Sequence, residues 1–148
     1  MLTQEQTADQ LEKLIGTLRD GEKGYAESAE KVENAQLQSL FAEFAQQRSQ
    51  LAAELEPYAS QYGAHPRGGS VGAALHRGWI SLRDAITARD DKAVIAEVER
   101  GEKVATDNYE DVLGEDLPAD LKGVIQAQYS RVKAAQERIS ALKRSLGA

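Results

Sequence analysis

The sequence predicts one all-α domain, with four long amphipathic helices paired as two hairpins and a short fifth helix in the connection between them. Three observations lead there. At 148 residues, 41% hydrophobic and 28% charged, the chain has the size of one domain and is too apolar to remain disordered. Ala, Leu, Glu, Gln, Lys and Arg dominate, and proline occurs only at Pro57, Pro66 and Pro118. In four separate stretches the apolar residues recur at alternating steps of three and four, which places them on one face of a helix in a bundle.

Taken in order, Thr3 is a suitable N-cap for a first helix running to about Lys31, and Asn34 caps a second that reaches about Tyr62. These form a hairpin over residues 3–62. The connection, residues 63–91, begins with a loop from Gly63 to Gly69 that contains His65 and Pro66. Ser70 then caps a short crossover helix ending near Ala88, whose Val71, Leu75, Trp79, Leu82 and Ile86 make one apolar stripe. Asp90 or Asp91 opens the fourth helix, which runs to about Leu113. The segment from Gly114 to Pro118 breaks it, and a fifth spans Ala119 to Leu146, completing a hairpin over 92–146. A crossover helix of about 17 residues at ~1.5 Å per residue is long enough to travel the bundle. Such a connection makes the second and fourth helices parallel, the topology of ferritin-like folds, with Trp79 packed on the bundle.

Each long seam is interrupted once by a strongly polar residue near the middle of its helix. The first helix has Leu11, Ile15, Leu18, then Glu22, then Tyr25, and the second has Phe41 and Phe44, then Arg48, then Leu51 and Leu55. The fourth has Ile95 and Val98, then Glu102, then Ala105 and Tyr109, and the fifth has Leu121 and Ile125, then Gln128, then Val132. Glu22, Arg48, Glu102 and Gln128 are therefore expected to form one buried polar layer. Gly21-Glu22-Lys23 recurs as Gly101-Glu102-Lys103 in the first helix of the other hairpin, which suggests a duplicated unit.

With Asp20-Gly21-Glu22-Lys23-Gly24-Tyr25, Gln47-Arg48, Ala74-Leu75-His76-Arg77-Gly78-Trp79 and Gly101-Glu102, the chain resembles, over nearly its whole length, bacterial ferritin-like four-helix-bundle proteins classed as a domain of unknown function. The resemblance implies a ferritin-like fold, a soluble bacterial protein with a connection to stress, and no assigned activity. A ferritin-type di-metal centre takes one Glu from each of two helices and Glu-x-x-His from each of the other two. Glu22 and Glu102 occupy the places of the lone glutamates, but the partner helices offer Gln47-Arg48 and Gln128 with Arg131. The two histidines, His65 and His76, fall in the connection. Arg48 would repel a divalent cation and is a planar donor suited to bridging carboxylates. The layer is therefore expected to be a salt-bridge network with no metal or other cofactor, and Glu22, Glu102 and Glu99 are what a divergent metal site would have to use.

Other chemistries find less support. The formal charge of −6, without a Lys/Arg cluster, disfavours nucleic acid. No eighteen apolar residues run together, and Met1 to Gln10 lacks a signal core, so the expected location is the cytoplasm and not a membrane. There is no cysteine, and no serine sits in a Gly-x-Ser-x-Gly turn between a strand and a helix, so no catalytic residue is assigned. Gly68-Gly69-Ser70 reads as a turn and N-cap, and Tyr25 and Tyr109 as core residues whose hydroxyls join the polar layer. By elimination the expectation is a non-enzymatic, stress-related bundle with a structural or interaction role, alone or as a homodimer. The alternatives are a divergent metal-binding protein or oxidase built on Glu22 and Glu102, and a module for a small hydrophobic ligand.

Overall fold

The computed structural model describes residues 1–64 and 90–146. Among these the structure is helical and without strands: α1 spans Gln4–Lys31, α2 Ala35–Gln61, α3 Asp91–Leu113 and α4 Ala119–Ser145. The expected loop and crossover helix, with His65, His76 and Trp79, lie outside the described residues. No described helix is long and apolar enough to cross a membrane.

Local chemistry sets most of the helix ends. Thr3 and Gln6 form a capping box, the Gln6 N–H donating to Thr3 Oγ1 at 3.0 Å and the Thr3 N–H to Gln6 Oε1 at 2.9 Å. Asn34 Oδ1 accepts from the Leu37 N–H, and Asp90 Oδ1 from the Lys92 N–H, each at 3.0 Å. Pro118, fixed in φ, opens α4 without a side-chain cap. The first residue of α3 also secures the α1–α2 turn, because Asp91 accepts from the Glu33 N–H at 2.9 Å and the Asn34 N–H at 3.0 Å. Pro57 lies inside α2, on its exposed side, so the carbonyl that loses its helical donor there faces water.

Side-chain contacts give the helix directions. Asn108 donates to Thr17 at 3.0 Å while Asp91 reaches residues 33 and 34, so α1 and α3 are antiparallel. Tyr109 meets Gln128 at 2.9 Å and Lys143 meets Glu99 at 2.9 Å, so α3 and α4 are antiparallel as well. Arg19 of α1 reaches Glu56 of α2 at 2.6 Å across their hairpin. It follows that α2 and α3 run in the same direction.

The two hairpins bury equivalent positions 80 residues apart. Buried Leu14, Ile15, Leu18, Gly21 and Tyr25 on α1 correspond to buried Val94, Ile95, Val98, Gly101 and Ala105 on α3. On α2, Phe41, Ala45, Arg48, Ala52, Leu55 and Ala59 correspond to Leu121, Ile125, Gln128, Val132, Ala135 and Ile139 on α4. The core is divided in two. One cluster gathers Leu11, Leu18, Leu51, Leu55, Tyr109 and Leu121, and the other Tyr25, Phe41, Phe44, Ile95, Val98 and Ile139. Arg48, Glu102 and Gln128 belong to neither: Arg48 and Glu102 lie between the clusters along their helices, while Gln128 is flanked on α4 by Ile125 and Val132 of the first cluster.

Candidate functional site

The boundary between the clusters is held by one ion pair. Arg48 Nη1 approaches Glu102 Oε1 at 2.6 Å, and each side chain is 1% exposed. An arginine fits there because of its neighbours. A Cβ built on Gly21 would stand 3.5 Å from Arg48 Cγ and 3.7 Å from Nη1, so the arginine stem passes directly over the α1 backbone. The guanidinium lies over the Tyr25 ring, 5.3 Å from its centroid, and its Nε donates to Gln47 Oε1 at 3.2 Å. Tyr25 packs in turn against Phe41 and Phe44, with centroids 5.8 and 5.6 Å away, which fixes the surface under the guanidinium.

Gln128 forms a neutral counterpart. Its Oε1 accepts from the Tyr109 hydroxyl at 2.9 Å, and its Nε2 donates to the Leu51 carbonyl at 3.1 Å and to Glu54 Oε1 at 3.0 Å. The amide is thus used on both sides, and it links α2, α3 and α4.

Electrostatics hold these groups in single protonation states. Burial, the largest single influence, would lower the Arg48 pKa, but the charge of Glu102, the hydrogen bond it accepts from Arg48 and the neighbouring Tyr25 and Tyr109 together outweigh it and leave the value raised, so the guanidinium stays charged. Burial, reinforced by the Glu102 charge, pushes the Tyr25 hydroxyl far up. Burial does the same to Tyr109 against the opposing influence of Arg48. Both phenols are neutral hydrogen-bonding groups at any physiological pH.

Glu22 does not join the layer, contrary to the expectation from its seam. Its side chain is 35% exposed and pairs at 3.1 Å with Arg19, which also holds Glu56. The inward position of α1 at this level belongs to buried Gly21, and the next residue is turned ~100° further round the helix. Glu99, the third carboxylate considered for a metal, pairs with Lys143 at the surface at 2.9 Å. Glu22, Glu99 and Glu102 are not brought together. Among the described residues no group of three or more His, Cys, Asp or Glu side chains is placed to hold a metal ion.

One buried acid escaped the sequence reading. Glu97 is 5% exposed and pairs with Arg100 at 2.7 Å, one helical turn on. Its signal was faint, because the Ile95 to Val98 step passes over it. Its equivalent 80 residues earlier, Thr17, is also buried and polar.

No curated protein matches the chain. The family model described as Domain of unknown function (DUF2383) matches residues 6–115, covering all but the first two residues of α1, the whole of α2 and the whole of α3. The chain therefore belongs to this family of domains of unknown function.

Proposed function

We propose that this protein is a ferritin-like bundle whose metal position is closed by its own ion pair, and that it serves as a non-enzymatic structural or interaction protein of the cytoplasm. The parallel course of α2 and α3 supports the ferritin-like reading, since that order needs the long crossover the chain provides. The observation that carries the functional reading is the Arg48–Glu102 contact at 2.6 Å, with both side chains out of water.

The residues of the layer do not fit a di-metal centre. A centre of that kind needs several anionic or imidazole ligands converging on one point. Here one carboxylate faces inward, already neutralised by a fixed cation, and its equivalent on α1 is held at the surface by Arg19. A second reading, a divergent metal protein using Glu22 and Glu102, would require α1 to rotate and Arg48 to leave. The connection to stress rests on the sequence resemblance alone.

Elemental analysis of protein purified without chelator, before and after incubation with ferrous or manganous ions and desalting, tests the proposal. Retained metal far below one ion per chain is expected. Stoichiometric metal that is lost on Glu102→Gln would overturn it.

A further inference from the structure

We draw no further inference here: the strongest candidate, the open groove of about 780 Å³ between the start of α2 and the end of α4, floored by Leu40 and Leu142 and edged by the Glu43–Arg138 pair, is an apolar face that nothing in the structure shows to be covered by any particular partner or ligand.

Discussion

Arg48→Leu removes the one cation of the buried layer and leaves the buried Glu102 without its counter-charge. Breaking a buried pair by deleting one partner costs roughly 3 to 5 kcal/mol, because the surviving charge keeps its full desolvation penalty. That is a large share of the ~5 to 15 kcal/mol that holds a domain together. The contact with the Tyr25 face and the packing over Gly21 are lost as well, which places the expected value in the upper part of the range. With a urea dependence of about 2 kcal/mol per molar, the unfolding midpoint should fall by roughly 2 M. Replacing Arg48 and Glu102 together by leucine removes both desolvation costs and should restore most of the loss, since such exchanges are often neutral or stabilising. Urea melts followed by circular dichroism compare the two variants. A near-neutral Arg48→Leu, or a double variant as unstable as the single one, would refute the idea that charge pairing governs this layer.

Gly21→Ala should be neutral or stabilising by up to about 1 kcal/mol, because the added Cβ meets Arg48 at ordinary contact distance and alanine is the better helix former. Gly21→Leu should cost about 1 to 3 kcal/mol by crowding Arg48, so equal thermal midpoints for the two variants would show that the arginine does not need the glycine. The buried phenols make the fold sensitive to alkali. Their folded pKa values are raised, so their contribution is complete below the unfolded value near ~10 and is lost as pH rises beyond it, at about 1.4 kcal/mol per pH unit for each. Tyrosinate absorbance should show two of the five tyrosines ionising only together with the loss of helical dichroism. Full ionisation with the helices intact would contradict their burial. A chain ended after Glu115, where the family match stops, should lose cooperative unfolding, because α4 supplies Leu121, Ile125 and Val132 to one cluster and Ile139 to the other. A sharp thermal transition in that truncated chain would show that α1 to α3 fold without it.

The fold was legible in the sequence wherever one residue's chemistry decides a local outcome. Thr3, Asn34 and Asp90 cap where cap-forming residues precede apolar periodicity, and the four described helices end within a residue or two of the expected bounds. The layer was legible only in part. Arg48, Glu102 and Gln128 are conspicuous polar residues at seam positions, and all three are buried. Steps of three and four do not choose between Gly21 and Glu22, because a glycine leaves no mark in a hydrophobic pattern and the visible acid fits the seam as well. The partners of Gln128 were out of reach for another reason. Glu54 and the Leu51 carbonyl come to it from across the bundle, through a contact no local rule describes.

Charge balance explains why the two hairpins, equivalent along most of their length, part company at this layer. Arg48 and Gln128 are equivalent by the 80-residue spacing, as are Glu22 and Glu102. If both glutamates faced inward, two carboxylates would share one guanidinium and the layer would bury a net negative charge, at a cost of several kcal/mol per uncompensated ion. Turning Glu22 outward to Arg19 avoids that cost, and it opens over Gly21 the space that the Arg48 stem needs to reach Glu102 on the opposite helix of the bundle. The neutral side of the pair needs no such adjustment. Gln128 is short, and its hydrogen bonds end on Tyr109, Glu54 and a main-chain carbonyl. One arginine therefore supports one buried glutamate. At the centre of this bundle the inward carboxylate of Glu102 is matched by the cation of Arg48, and that match is what the proposed closure of the metal position rests on.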